Sequence, residues 1–257
     1  MIKFFRKIRQ RLLTENKFSK YLIYALGEII LVVIGIIIAL QINNWNEQLK
    51  TRKSAAAQLR QLYQYVSNDL TLLNTLNTNV TSNLTSCQKL SEQFQLVKPF
   101  DSLSTSYLID NLFEWNFYGN TSAYEKLNQS GEFSILPKNL QSDITYYYNL
   151  LKRVKEREEI SNTFIKNEYE PHYFDNFSIY QRKGSNLHPI MGQYYKNDKR
   201  KPVMLNIDKI ANDNKMSVLI FARYYQLKNQ QESYQEAIKK AKEVQLSINE
   251  YLKANND

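Results

Sequence analysis

Twenty residues near the N-terminus, Tyr21 to Leu40, read YLIYALGEIILVVIGIIIAL and hold a single charge, Glu28. At a helical rise of about 1.5 Å per residue, such a run is long enough to cross the hydrocarbon core of a bilayer. A water-soluble core rarely needs one this long. The run predicts a transmembrane helix over residues 21–42, and everything else in the chain is read around it.

The flanks set an orientation. Residues 1–20 carry Lys3, Arg6, Lys7, Arg9, Arg11, Lys17 and Lys20 against Glu15, a local +6 out of +9 for the whole chain. Basic flanks stay on the cytoplasmic side. The other flank, Gln41 to Gln48, is amide-rich with Trp45 at the boundary, a residue suited to the headgroup layer. The expected topology is N-terminus inside and the remainder of the chain outside the cytoplasm. Asn43, Asn44, Trp45 and Asn46 stand where a signal peptidase would need small residues, so an uncleaved signal-anchor is expected. Ile2, Phe5, Ile8 and Leu12 recur at helical spacing among the basic residues. That pattern suits an amphipathic helix on the anionic inner leaflet, or simply a basic flank with incidental apolar residues. Because the excess charge sits in this leader, no basic folded surface is left to suggest nucleic-acid binding.

Glu28 is the local anomaly of the span. It shares a helical face with Tyr21, Ala25, Val32, Gly35 and Ala39, and Gly35-x-x-x-Ala39 is a small-xxx-small pair. Two readings stand. The face is a helix–helix interface inside the membrane, with a second copy or another membrane protein, or Glu28 is a protonated or snorkelling carboxylate tolerated near the inner interface.

Beyond the span, six glycines and five prolines in 257 residues leave few breaks, which favours long helices. Leu59, Val66, Leu73, Val80, Cys87 and Phe94 are spaced by seven, and Tyr63, Leu70, Asn77, Leu84 and Ser91 form a second row, widened by Leu62, Leu76, Leu90 and Val97. This predicts one helix from about Asn46 to Val97, continuous with the span and burying one face in a bundle. A second helix is expected over Asp101–Tyr118, with Leu108, Leu112 and Trp115 at helical spacing. A capping box at Ser122–Glu125 opens a short helix that stops at Ser130-Gly131. Pro137 opens a third long helix with the stripe Leu140, Ile144, Tyr147, Leu151 and Val154, resumed at Ile160, Phe164 and Ile165 and ended near Pro171. Only part of Tyr146-Tyr147-Tyr148 can pack, since three neighbours cannot share one helix face. A last helix runs from about Asn212 to Leu252 on Ile220, Tyr224, Leu227, Tyr234, Ile238, Ala241, Ile248 and Leu252. Residues 171–211 hold three of the prolines, both histidines and no periodicity, and are expected as an irregular membrane-distal segment. The fold class that follows is all-α: residues 43–257 form an antiparallel helical bundle carried by the transmembrane helix.

Chemistry is hard to find. His172 and His188 lie 16 apart with Asp175 between them and no further ligand at metal spacing. No phosphate-binding glycine loop and no nucleophile elbow is present. Glu156, Glu158 and Glu159 alternate with Lys152, Arg153, Lys155 and Arg157 and read as a solvated, self-paired face. Cys87, the sole cysteine, lies on the apolar stripe and reads as a small buried hydrophobe. No catalytic residue, metal site or cofactor is expected, and the chain is not expected to be an enzyme.

The block from Met1 to Glu47 resembles the opening of an uncharacterised family of single-pass membrane proteins from Bacteroidetes bacteria. The likeness rests on Phe4 to Arg9, Gly27-Glu28, Ile34-Gly35, Ala39 to Gln41 and Asn43 to Asn46, and more loosely on Ser130-Gly131 and the Tyr-rich stretch after Leu140. It implies an inner-membrane anchor with a periplasmic domain and implies no activity. The expected role is a protein-interaction or scaffold component of the cell envelope, contacting membrane lipids and a second copy or a membrane-protein partner. A ligand-sensing bundle signalling through such a partner is the other reading.

Overall fold

The computed structural model describes residues 18–176, 197, 199 and 206–255. Every regular element among them is helical. The elements are α1 (Phe18–Phe94), α2 (Ser104–Asp110), α3 (Ser122–Gln129), a 3-10 turn (Glu132–Ile135), α4 (Lys138–Phe164), a π-helical turn (Ile165–Tyr169), α5 (Glu170–Asn176), α6 (Ile207–Ala211) and α7 (Asn214–Ala254). The chain divides into two compact units, Met1–Ala57 and Gln58–Asp257.

In the first unit, α1 carries the apolar run. Between Leu22 and Ile42 the large apolar side chains lie outside, from Ile34 at 45% exposed to Ile23 at 71%. The run has a mean hydropathy of 2.6 over its most apolar 18 residues, none of them buried. It is a candidate membrane span.

The second unit is an all-α bundle. Leu59, Val66, Leu73, Val80 and Cys87 are fully buried, each apolar side chain contributing about 1.5–3 kcal/mol by leaving water. The second buried row is one residue away from the expected one. It is Leu62, Asp69, Leu76, Asn83 and Leu90, while Tyr63, Leu70, Asn77 and Ser91 are half-buried. Leu62, Leu76 and Leu90 were expected to widen the stripe, and apolar periodicity passed over only Asp69 and Asn83, the two polar members of the row.

Long-range hydrogen bonds give the topology. Gln245 donates to Ser67 Oγ (2.6 Å) and Gln231 to Thr81 Oγ1 (2.8 Å), so α7 runs antiparallel to α1. Lys240 reaches Asp143 (2.6 Å) and Arg223 reaches Ser161 (2.6 Å), so α7 is also antiparallel to α4. The two outward helices α1 and α4 are therefore parallel, and Tyr147 donating to Asp69 Oδ2 (2.9 Å) ties them.

The fourth side of the bundle departs from expectation. The helix anticipated over Asp101–Tyr118 is only α2, seven residues long, and 113–121 is not helical. The segment still returns along α1: Asn83 and Ser86 bond Asp110 (2.9 and 2.7 Å), and Asp69 accepts from the Asn120 backbone N–H. The reason it is not a helix is that its backbone groups find partners elsewhere, as described below.

Local signals fared variously. Ser122 is the first residue of α3 rather than its cap. Its N–H goes to Asn120 Oδ1 (2.9 Å), while Glu125 bonds Thr121 (2.6 Å). Gly131 takes the left-handed conformation at φ +75° that closes α3, as expected. The third long helix passes beyond Pro171. The π-helical turn at Ile165–Tyr169 shifts the hydrogen-bond ladder just before proline, whose missing N–H then falls in the first turn of α5. The irregular segment expected over 171–211 is thus helical at both edges, 170–176 and 207–211, and from 177 to 196, at 198 and from 200 to 205 it lies outside the described residues.

Candidate functional site

The face expected inside the membrane lies on α1, in the first unit. Ala25 and Glu28 are half-buried, and Val32, Gly35 and Ala39 are exposed on the same helical face. A methyl group added at Gly35 would meet nothing within 4 Å, so the small residue leaves the helix surface open there. The side chain of Tyr21 lies outside the described residues.

The second unit buries a seam of polar side chains that hold the non-helical segment. A backbone without helix or sheet partners must be satisfied by side chains or water. Here three residues on α4 and α7 serve. Arg223 Nη2 donates to Phe113 O (3.0 Å), Asn162 Nδ2 to Trp115 O (3.3 Å), and Phe117 N–H donates to Glu158 Oε2 (3.0 Å). Tyr234 hydroxyl closes the other carboxylate oxygen of Glu158 (2.5 Å). Tyr169 reaches Leu108 O (2.9 Å).

Burial shapes the electrostatics of this seam. Desolvation pushes the carboxyls of Glu158, Asp69 and Asp110 above the usual carboxylate range, and the hydrogen bonds each accepts pull part of the way back. Arg223 is wholly buried, and loss of water lowers its guanidinium to about 10. Its Nε has no hydrogen-bond partner among the described residues. Glu158 was expected on a solvated face with Glu156 and Glu159. It is 3% exposed, because α4 turns this face toward the segment and α7. Ile160, expected in the core, is outside for the same reason.

Cys87 donates to Asn111 Oδ1 (2.9 Å) and is buried, which pushes its thiol up to about 12. A thiol that holds its proton so tightly is a poor nucleophile. His172 Nε2 lies 2.9 Å from Asp213 Oδ2, and Asp213 Oδ1 accepts from Met216 N–H at the start of α7 (2.9 Å). The pair ties α5 to the cap of α7. Among the described residues no group of three or more His, Cys, Asp or Glu is placed to hold a metal.

One open cleft, of about 610 Å³, lies between α4 and the non-helical segment. Glu114, Asn116, Tyr118, Lys155, Glu159 and Lys166 are among its walls. Lys166 pairs with Glu114 across it (3.2 Å), and the Tyr118 ring stands 81% exposed. The cleft offers charges of both signs and an aromatic ring, beside Glu158 and Asn162, which hold the backbone of the non-helical segment.

A model of the family of unknown function DUF6090 matches residues 28–183. The chain belongs to that family. The family's stretch begins at Glu28 within the apolar run, includes α2 to α5 and the non-helical segment, and stops before α7. Two partners of the seam, Arg223 and Tyr234, therefore come from outside the matched stretch. No curated protein and no solved structure matches the chain.

Sequence reasoning missed the seam. Glu158 and Asn162 sit among ordinary surface-type residues, whereas Arg223 is the one charge in the apolar and aromatic run Val218 to Leu227, a signal that could have marked it. A signal existed for Asp69 and Asn83, since both interrupt a seven-residue repeat of leucines.

Proposed function

We propose that this chain is a single-pass inner-membrane protein whose N-terminal helix anchors a periplasmic bundle, and that the bundle is an interaction or scaffold component of the envelope. The observation that carries the anchor is the apolar run of α1, with large apolar side chains outside along its whole length. The basic leader orients it with the N-terminus in the cytoplasm. The likeness of Met1–Glu47 to single-pass membrane proteins of Bacteroidetes bacteria supports that placement.

A non-catalytic role is supported by how the bundle uses its perturbed groups. Glu158, Asp69 and Asp110 each accept from a hydroxyl or backbone N–H of the fold itself. Such groups stabilise a platform. Val218, Phe221 and Tyr225, on one face of α7 and 60–68% exposed, add apolar surface of the kind that interaction proteins present.

Alkaline carbonate extraction and protease treatment of spheroplasts test the reading. The chain should stay with the membrane, and external protease should reach the bundle. Release by carbonate, or protection of the bundle, would overturn it. Crosslinking with mass spectrometry in native membranes should then return a defined protein partner or a second copy. The cleft favours a second reading, a ligand-sensing bundle, for which a small-molecule-dependent rise in Tm would be the sign.

A further inference from the structure

The charge pattern just past the apolar run points to a lipid-binding collar. After Glu47 the next acid in the chain is Asp69, and between them stand Lys50, Arg52, Lys53 and Arg60. Lys50, Arg52 and Lys53 are exposed on α1, in the same compact unit as the run. Trp45 is 65% exposed. Lys50 touches Glu47 (3.1 Å), but both are well exposed and such a pair holds little.

Spacing puts these residues in one narrow band of depth, on two sides of the helix. At about 1.5 Å per residue they stand roughly 8 to 12 Å beyond Trp45. Steps of about 100° per residue put Lys50 and Lys53 about 60° apart on one face and Arg52 on the other side of the helix, about 160° from Lys50. The polar layer on each side of a bilayer is about 5–7 Å thick. Lys and Arg stems bend back along apolar surface to bring their charges to a preferred layer. With Trp45 at the headgroup level, all three cations reach lipid phosphates.

We propose that Lys50, Arg52 and Lys53 form a collar that gathers anionic phospholipid around α1 on the side of the membrane that faces the bundle. The proposal rests on the membrane-span reading above. Its basis is charge complementarity with an acidic lipid surface, continuous with the apolar span. The collar draws the lipid by accumulated positive charge, so high salt weakens it.

Trp45 is a local reporter. The full chain is reconstituted in vesicles of phosphatidylcholine with phosphatidylglycerol, with either lipid brominated near the top of its acyl chains. Quenching of Trp45 is measured, and a Trp45→Phe chain subtracts Trp115, the other tryptophan. The collar predicts that brominated phosphatidylglycerol quenches about twofold or more strongly than brominated phosphatidylcholine at equal mole fraction. The triple change Lys50→Gln, Arg52→Gln, Lys53→Gln should abolish the preference. These positions are exposed on a helix, so the variant keeps its fold. Equal quenching by both lipids in the parent chain, or a preference that survives the triple change, overturns the collar and leaves the span standing. No quenching by either lipid overturns the span itself, and the collar with it.

Discussion

Residues 22–42 and 58–94 belong to one helix, and they treat the same side chains in opposite ways. In the first stretch Leu31 is 65% exposed and Ile36 55%; in the second Leu59, Leu62 and Leu73 are at 0%. In the first, apolar residues surround the helix. In the second they form two rows, and polar residues enter the buried face at Asp69 and Asn83. On the membrane-span reading proposed above, the difference means that α1 meets two solvents. Where apolar side chains point everywhere the surroundings are expected to be lipid, and where they point one way the partner is a bundle.

The most direct attempt to break this comparison is to truncate one leucine in each stretch. Leu73→Ala should destabilise the bundle by about 3 kcal/mol, through lost burial and the cavity left behind. Leu31→Ala should leave bundle unfolding unchanged. Denaturant titration of the full chain in detergent, followed by tyrosine fluorescence, reads both. Equal losses would mean that the exposed run supports the bundle, and the two-solvent account would fail.

The buried polar row gives the next test. Glu158→Ala removes the acceptor for Phe117 N–H and for the Tyr234 O–H, whose oxygen keeps only the bond it accepts from Gln230, and should cost about 2 kcal/mol. Glu158→Gln keeps an acceptor without a buried charge and should cost less than about 1 kcal/mol. The pH dependence has a definite sign. The folded carboxyl is raised by burial, so the folded state holds its proton at a pH where the unfolded chain has lost it. The contribution of Glu158 to stability is therefore fully present below the unfolded value, about 4.3, and is lost as pH rises through the higher folded value. Subtracting the Glu158→Gln curve from the parent's should show that decline. A rise over the same window would mean that the charged form is the one the fold prefers.

Overpacking probes the non-helical segment itself. A methyl group at Gly119 would overlap the Phe117 ring and come 3.1 Å from Asp69 Oδ1. Phe117 is 2% exposed and has little room to give. Gly119→Ala should lower stability by about 1–2 kcal/mol in thermal unfolding. No loss would show that the segment shifts freely and that the seam does not hold it.

What could be read from the chain followed from locality. The seven-residue repeat of α1, the stripe of α4 from Leu140 to Val154 and the cap at Gly131 are local patterns, and the structure has them. The non-helical course of 113–121 was not legible, because its hydrogen bonds come from residues far away in the chain. Glu158 lies 41 residues from Phe117, and Arg223 lies 110 from Phe113. Leu108, Leu112 and Trp115 at helical spacing suggested a helix, and tertiary partners overrode that local signal. Arg223 and Glu158 are residue types that single-sequence reasoning assigns to water. Only a structure shows that the bundle spends them on backbone groups.

The smallest effect lies where α1 leaves the bundle, and it sharpens the comparison at its far end. The helix closes with Val97 N–H on Glu92 O (2.9 Å) and Leu96 N–H on Gln93 O (3.1 Å), the paired bonds of a Schellman end. That motif puts Leu96 in the left-handed region at φ +58°, where a side chain costs about 1–2 kcal/mol. Leu96 is 85% exposed, so almost no packing offsets the strain. Leu96→Gly relieves the Cβ conflict and loosens the unfolded chain somewhat. The net expectation is a gain of about 0.5–1 kcal/mol, read as a small rise in Tm with the slope of the denaturant transition unchanged. A loss instead would mean that the Leu96 side chain has an apolar contact in the working protein, and that this exposed end of the bundle is itself a surface for a partner.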